Sequence, residues 1–194
     1  MQVAGKCRDM GGGGWVKTAR CDLTDPSSME DLAAMVSKEH GGLDVLVANA
    51  GMLKGGEMLD SDCDDWDLMM KVNLMAPMRL TRLFAPDMIK KGEGTIIFTG
   101  SLAGYRPTSM VAYSASKYGV KGWAMSCNES LHQHGISVTV IEPGFVDTPM
   151  VKDAPGNHDL FLKPSDIAEA ALLPFKFSKA VPTEIVLRLV RPPQ

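Results

Sequence analysis

The chain has 194 residues, 45% of them hydrophobic, which is enough to bury a core and short enough to form one domain over residues 1–194. Its 23 acidic and 20 basic residues give a formal net charge of −3, which offers no electrostatic basis for binding nucleic acid or an anionic membrane. No apolar run approaches the roughly 20 residues that span a bilayer, and the first 20 residues lack the apolar middle of a signal peptide. We therefore expect a cytoplasmic protein that acts on a small molecule or contacts other proteins.

The sequence predicts no metal site. Its four cysteines form no CxxC pair and complete no metal-ligand spacing with the four histidines. The acidic run DSDCDDWD, residues 60–67, resembles the start of a calcium loop, but Asp65 and Lys71 replace the glycine and glutamate that the loop requires. These carboxylates fit the start of a helix instead, where they cap exposed backbone N–H groups.

The first predicted elements are a strand, a helix and a second strand. Residues 15–23 (WVKTARCDL) predict a strand, and a helix follows with Asp25 as its N-cap, Pro26 in its first turn and a glycine stop. Residues 43–51 (LDVLVANAG) contain the continuous apolar run of a strand that is covered on both faces. Gly11–Gly14, ahead of the first strand, are interpreted as a helix-ending turn.

The same alternation continues to the end of the chain. A long helix is predicted over residues 64–91, disturbed at Pro77, and a buried strand follows over residues 94–101. The later elements are a helix that includes Tyr113, a strand over residues 137–144, a helix over residues 164–173 and a strand over residues 183–190. Strands separated by helices of this length predict parallel βαβ connections and a doubly wound α/β sheet.

Ligands of open parallel sheets bind outside the carboxyl ends of the strands, so the residues that follow each strand are candidate site residues. Tyr113 and Lys117 are four residues apart, which places them on one face of a helix. Ser101 precedes Tyr113 by twelve residues and ends the preceding strand, so it can face the tyrosine across the crevice. The residues that follow the predicted strands are Asp22, Asn49-Ala50-Gly51, Thr99-Gly100-Ser101 and Pro143-Gly144.

Alone, Tyr113 and Lys117 would fit an ordinary surface pair, but the converging strand ends favour acid-base chemistry. A free tyrosine titrates near pH 10, so a tyrosine acting near neutral pH needs a lowered pKa, which the adjacent Lys117 cation would provide.

Several ordered motifs carry a family resemblance. They are CDLTD, ANAG, KVNLMAP, GSLAG, YSASK and PGFVDTP, between about residue 17 and the end of the chain. On these motifs the chain resembles the short-chain dehydrogenase/reductase family. The resemblance implies a Rossmann-like fold, NAD or NADP as cofactor and a small carbonyl or alcohol substrate; the net charge already argues against nucleic acid and membrane as partners. It also implies a homo-oligomer formed through the helices around Met69–Met78 and Tyr113–Ser130.

The resemblance assigns a role to each matching residue. Tyr113 is implied as the catalytic acid-base, with Lys117 beside it, Ser101 at the substrate oxygen and Asn73 in a proton relay. The implied cofactor-binding residues are Asp22, Leu23, Asn49, Ala50, Gly51, Tyr113, Lys117, Pro143, Gly144, Val146 and Thr148. Two structural alternatives stay open, since Asn73 could satisfy backbone groups near Pro77 and Asp22 could be an ordinary turn residue.

The start of the chain departs from the family pattern. Dinucleotide-binding folds open with an apolar strand, a glycine-rich turn and a helix that receives the pyrophosphate, and no such unit precedes Asp22. We expect a sheet that lacks the first two strands and their helices, with an exposed edge beside residues 43–50. Two hypotheses follow, an NAD(P)-dependent oxidoreductase, or a shortened non-catalytic relative that associates with a full-length partner.

Overall fold

The structure, a computed structural model, describes residues 2–9, 14–154 and 156–190. The four strands are β1 (Val45–Ala48), β2 (Gly94–Thr99), β3 (Ile136–Pro143) and β4 (Glu184–Leu187). They form one parallel sheet in the order β1-β2-β3-β4. The α-helices are α1 (Gln2–Asp9), α2 (Pro26–His40), α3 (Cys63–Met70), α4 (Ala76–Lys91), α5 (Val111–Leu131) and α6 (Pro164–Leu172). This arrangement confirms the predicted parallel α/β fold.

Helices cover the sheet on both faces because successive strand residues point in opposite directions. Ile96 and Phe98 of β2 face α4 and α5 in the larger apolar cluster, where they pack with residues such as Phe84 and Val120. Ile97 lies between them in sequence and faces the opposite side, where it packs near α6. Burying both faces accounts for the continuous apolar runs of these strands.

The carboxyl-terminal half of the sheet is better covered than β1. Ile136, Val138, Val140 and Ile141 of β3 are all buried, whereas Val45 and Val47 of β1 are 37% and 50% exposed. β1 forms the edge of the sheet, and the described residues contain no strand ahead of it. The predicted exposed edge beside residues 43–50 is therefore confirmed for the described part of the chain.

The strand predicted over residues 15–23 is wrong. Residues 14–22 carry no regular secondary structure and lie along α2 instead. The ring of Trp15 is 4.6 Å from that of His40, and Lys17 forms an ion pair with Glu39. A strand requires a neighbouring strand to pair its backbone, and this segment is held by side chains to a helix. The predicted turn at Gly11–Gly14 lies, except for Gly14, outside the described residues.

The long helix predicted over residues 64–91 is present but interrupted one turn before Pro77. A π-helical turn, Lys71–Met75, joins α3 to α4. Proline lacks an N–H and its ring crowds the carbonyl four residues earlier, which is here that of Asn73. The wider turn accommodates this crowding and lies beside the functional site, where such bulges are frequent.

The predicted helix starts are confirmed. The Asp25 carboxylate accepts a hydrogen bond from the Ser27 N–H at 2.9 Å and caps α2, and α2 ends at Gly41 in the left-handed conformation. The Asp62 carboxylate accepts from the Asp64 N–H at 3.0 Å and caps α3. The acidic run is therefore a helix start, as its sequence indicates. None of the helices in the described ranges is long and apolar enough to cross a membrane.

Candidate active site

A cavity of about 920 Å³ opens where the carboxyl ends of β1, β2 and β3 meet. Its walls include most of the residues that the sequence singled out. They are Asn49, Ala50 and Gly51 after β1, Ser101 after β2, Tyr113 and Lys117 on α5, and Pro143, Gly144, Val146 and Thr148 at and after β3. The fold thus brings together residues that are up to 99 positions apart in the chain.

Ser101 reaches Tyr113 through a short 3₁₀ turn, Leu102–Gly104, that follows β2. The Ser101 hydroxyl caps this turn by accepting a hydrogen bond from the Ala103 N–H at 3.1 Å. A Cβ atom on Gly104 would lie 2.6 Å from the backbone oxygen of Lys117, so only glycine lets the turn rest directly on α5. This close approach brings Ser101 and Tyr113 to the same part of the site, and both line the cavity.

Tyr113 is held as a neutral phenol. Burial raises its pKa above the ordinary value of 10, and the hydrogen bond with Ser101 opposes the rise without cancelling it. The lowering expected from Lys117 is not the dominant effect at this side chain. At neutral pH the phenol therefore carries the proton that an acid catalyst has to donate.

Lys117 is buried with its ammonium group directed at the backbone. Its side chain is 4% exposed, and its Nζ donates a hydrogen bond to the Thr99 carbonyl oxygen at 2.9 Å. Burial lowers the pKa of Lys117 from 10.5 to about 8. Its Nζ lies 5.7 Å from the centre of the Tyr113 ring. The pair shares one small volume, as the four-residue spacing predicts.

Asn73 lies behind the cavity, within the π-helical turn. Its amide nitrogen donates to the Met52 carbonyl oxygen at 2.9 Å and to the Ser116 hydroxyl at 3.1 Å. Its amide oxygen accepts from the Met52 N–H at 2.8 Å. Asn73 thus joins the loop after β1 to α5, close to Lys117. Asn73 therefore does satisfy backbone groups, as the structural alternative predicts, but these groups belong to Met52 and not to the backbone near Pro77.

The loops after β1 and β3 form the sides of the cavity. The Asn49 side-chain oxygen accepts a hydrogen bond from the Thr99 hydroxyl at 3.0 Å. Gly144 is anchored to β4, because its N–H donates to the Leu187 carbonyl oxygen at 2.9 Å. Val146 forms a parallel bridge with Leu162. Each loop is therefore held by the sheet or by a neighbouring segment.

Asp22 and Leu23 do not line this cavity. The Asp22 carboxylate accepts hydrogen bonds from the Thr24 N–H and hydroxyl at 2.9 and 2.7 Å, and these bonds lower its pKa. The structure places both residues in the turn that leads into α2, which favours the turn-residue alternative for Asp22. Their role in binding a cofactor stays a prediction.

The sequence analysis assigned no positioning role to Thr99 or Ser116. Thr99 holds Lys117 with its carbonyl and Asn49 with its hydroxyl, although only its strand-end position had singled it out. Ser116 receives the Asn73 amide and donates to the Tyr113 carbonyl oxygen at 2.7 Å. The sequence signal that could have indicated the role of Ser116 is its place as a small polar residue between Tyr113 and Lys117.

Comparison with known proteins identifies the family. The short chain dehydrogenase family model matches residues 1–158, starting ahead of the motifs that begin near residue 17. Two uncharacterised oxidoreductases, from Staphylococcus aureus strain MRSA252 and from Staphylococcus saprophyticus, are each 32% identical over 158 residues, which is 81% of this chain and 68% of theirs. The chain therefore belongs to the short-chain dehydrogenase family, whose members use nicotinamide cofactors.

Solved structures agree with this assignment. A metagenomic short-chain oxidoreductase in complex with NADP superposes with a TM-score of 0.79 at 34% identity, covering 97% of this chain and 81% of that one. A putative NAD(P)-dependent gluconate 5-dehydrogenase from Beutenbergia cavernae, with bound NADP, gives a TM-score of 0.84 at 25% identity, covering 96% and 79%. An alcohol dehydrogenase from Thermococcus sibiricus, at 24% identity and a TM-score of 0.86 over 100% and 83%, shares the fold.

Proposed function

We propose that this protein is an NAD(P)-dependent oxidoreductase that interconverts a carbonyl compound and a secondary alcohol. The observation that carries the proposal is that Ser101, Tyr113 and the buried Lys117 line one cavity at the carboxyl ends of the strands. The residues of the cavity suit the nicotinamide and ribose of the cofactor, because polar loop atoms and Lys117 converge there on an otherwise apolar wall. Asn49, Ala50, Gly51, Pro143, Gly144, Val146 and Thr148 would hold this part of the cofactor.

In the direction of reduction, the carbonyl carbon would receive the hydride that NADH or NADPH provides when bound. The Ser101 hydroxyl donates a hydrogen bond to the carbonyl oxygen and stabilises its developing negative charge. The Tyr113 phenol then gives its proton to that oxygen, so the carbonyl gains one hydride and one proton and becomes an alcohol. Lys117 keeps a positive charge beside the resulting phenolate, and Asn73 fixes the loop and helix on which these groups lie.

Substitution of Tyr113 tests this proposal. Tyr113→Phe removes the transferable proton and little volume, so we expect oxidation of NADH or NADPH by a carbonyl substrate to fall at least about 100-fold. Tyr118→Phe is the matched control, because Tyr118 lies exposed on the same helix and should leave turnover unchanged. Cofactor binding, measured separately by nicotinamide fluorescence, should be similar in both variants. Turnover of Tyr113→Phe within a few-fold of the parent would contradict the role of Tyr113.

A second candidate function is favoured by the exposed edge at β1. Val45 and Val47 leave a strand edge open to pairing, which suits a non-catalytic chain that associates with a full-length relative. Absence of turnover with both cofactors, combined with stable complex formation with such a relative, would favour this candidate over the enzyme.

Two further assignments accompany the enzymatic proposal. A homo-oligomer would form through α4 and α5 and the turn before α4, where Met75 and Met125 expose large apolar side chains. The protein would act in the cytoplasm, because its four cysteines are free thiols, the form that a reducing compartment maintains.

A further inference from the structure

A second cavity, of about 410 Å³, adjoins the first. Ser101 and Tyr113 line both cavities, so the second is open to a molecule whose carbonyl lies at their hydroxyls. Many of its lining residues are apolar, with Leu102, Phe145 and Met150 among them. This volume suits a small organic compound with an apolar segment.

Two arginines supply the charge of this second cavity. Arg106 and Arg188 line it, both are exposed, and no carboxylate lies among its described lining residues. Neither arginine forms an ion pair with a carboxylate in the described ranges. The whole chain has more acidic than basic residues, so two unpaired arginines at one cavity do not reflect a generally basic surface.

Both arginines are attached to the framework that holds Ser101. The Arg106 N–H donates to the Leu102 carbonyl oxygen at 2.9 Å, which fixes its backbone at the end of the turn that Ser101 starts. Arg188 directly follows β4, and its guanidinium lies 5.7 Å from the centre of the Tyr105 ring. A cation at this distance from an aromatic ring is favourably placed. The two side chains therefore extend from fixed positions.

Two acidic residues of the adjacent strands β3 and β4, Glu142 and Glu184, lie close to a lysine. Lys121 contacts Glu184 at 2.6 Å and Glu142 at 3.5 Å, and neither carboxylate lines the second cavity. The Lys121 ammonium also lies 4.4 Å from the centre of the Tyr105 ring, on which Arg188 packs. The positive charges of Arg106 and Arg188 are therefore available to bind an anionic ligand.

We propose that the substrate carries an anionic oxygen group, a carboxylate or a phosphate, that binds Arg106 and Arg188 while its carbonyl or hydroxyl carbon lies at Ser101 and Tyr113. Guanidinium groups bind both anions through paired, charge-assisted hydrogen bonds. An apolar segment of the substrate would lie between the two ends, against Phe145. This inference rests on the proposed oxidoreductase function and names its substrate class.

The test compares three ligands that share a phenyl ketone. The probes are 4-oxo-4-phenylbutanoate, its neutral amide and the corresponding phosphonate, each titrated calorimetrically into the 194-residue chain at low and at high salt. We expect one or both anionic ketones to bind about tenfold more tightly than the amide, and the preference to weaken as salt screens the arginines. A preference for the carboxylate or for the phosphonate identifies which anion the site takes.

Variants connect this preference to the two arginines. Arg106→Gln combined with Arg188→Gln should abolish it, whereas Arg82→Gln, at an exposed arginine of α4 that lines neither cavity, should leave it intact. If the double variant fails to fold, each single variant must reduce the preference by about threefold. Equal binding of all three ketones, no binding of any, or a preference that survives the substitutions would overturn the inference.

Turnover separates this inference from the proposed function. Carboxylate preference without oxidation of NADH or NADPH would leave the anion site standing and remove the enzymatic proposal. Turnover of the amide and the carboxylate with equal efficiency would support the enzymatic proposal and contradict the anion site.

Discussion

Burial dominates the electrostatics of the two titratable residues at the active site. From the sequence alone we expect Lys117 to lower the pKa of Tyr113, yet Lys117 directs its ammonium at the Thr99 carbonyl and burial raises the pKa of the tyrosine. Burial also lowers the pKa of Lys117 to about 8. The site as it stands therefore favours the neutral phenol, the form required to protonate a carbonyl oxygen.

A third titratable residue, Glu142, lies buried just before the Pro143 loop. Neither of its carboxylate oxygens has a hydrogen-bond partner among the described residues, although Lys121 lies 3.5 Å away. Burial raises the pKa of Glu142 from 4.5 to about 7, and the positive charge of Lys121 opposes the rise. Ionisation of Glu142 in the folded protein therefore costs free energy, and the attraction of Lys121 offsets only part of this cost.

This raised pKa predicts a pH-dependent stability. Between pH 4.5 and about 7 the folded state binds more protons than the unfolded state, so the free energy of unfolding falls as pH rises through this window and levels off above it. Glu142→Gln cannot ionise. We therefore compare the free energy of unfolding of the variant with that of the parent. Between the acidic and the alkaline side of the window, this difference should shift in favour of the variant by about 2 to 3 kcal/mol.

Urea denaturation at several pH values measures this change. Glu129→Gln, at an exposed position of α5, provides the control and should show no comparable trend. A stability difference between Glu142→Gln and the parent that does not vary with pH would rule out a buried ionisation at this position.

Elements that depend on local pattern were predictable, whereas elements that depend on a distant partner were not. The caps at Asp25 and Asp62 and the buried strand β2 follow from short-range sequence signals. The segment over residues 15–23 has the composition of a strand, but no strand pairs with it and α2 holds it through Trp15 and Lys17. Its structure is decided by tertiary contacts, which its own residues do not reveal.

The same division holds for the active site. Tyr113 and Lys117 share one helix, so their proximity follows from a four-residue spacing. The hydrogen bonds of Asn73 to Met52 and Ser116 depend on a π-helical turn and on packing between three elements, which no motif specifies. Arg106 and Arg188, 82 positions apart, line one cavity because β4 adds to the sheet beside β3.

The contact between the Ser101 turn and α5 predicts a sensitive glycine. Gly104→Ala would place a Cβ atom 2.6 Å from the Lys117 backbone oxygen, so the turn must move away from the helix and carry Ser101 with it. We expect a loss of about 1 to 3 kcal/mol in the free energy of unfolding, together with reduced turnover. Denaturant unfolding and steady-state kinetics measure the two effects.

Gly122→Ala, on the helix α5 against which the turn packs, is the control. A Cβ atom there meets nothing within 4 Å, and glycine within a helix costs up to about 1 kcal/mol relative to alanine, so this variant should be slightly more stable than the parent. If Gly104→Ala were as stable and as active as Gly122→Ala, the close packing of the turn on α5 would not be required.

At the scale of the whole molecule, two of the surfaces that the described residues expose suit association. One is the helical face with Met75 and Met125, and the other is the outer edge of β1. They differ in kind, since a helical face associates through side chains and a strand edge through backbone hydrogen bonds. Substitutions on each surface can therefore separate the homo-oligomer of an enzyme from strand pairing with another chain.

The edge of β1 predicts concentration-dependent association of the 194-residue chain. Val45 is paired with Thr95 of β2 on one side and is 37% exposed, while β1 has no strand on its other side within the described residues. Val45→Lys places a charge on this edge without altering either cavity, and lysine on an edge strand opposes pairing with a further strand. In analytical ultracentrifugation we expect this variant to sediment as a smaller species than the parent, whereas Leu172→Lys, an equivalent change at an exposed position of α6, should not shift the distribution.

Two other outcomes would contradict pairing at β1. Association that is abolished by Met125→Lys and unaffected by Val45→Lys would place the contact on the helical face. A parent chain that is monomeric at all concentrations would contradict association at either surface.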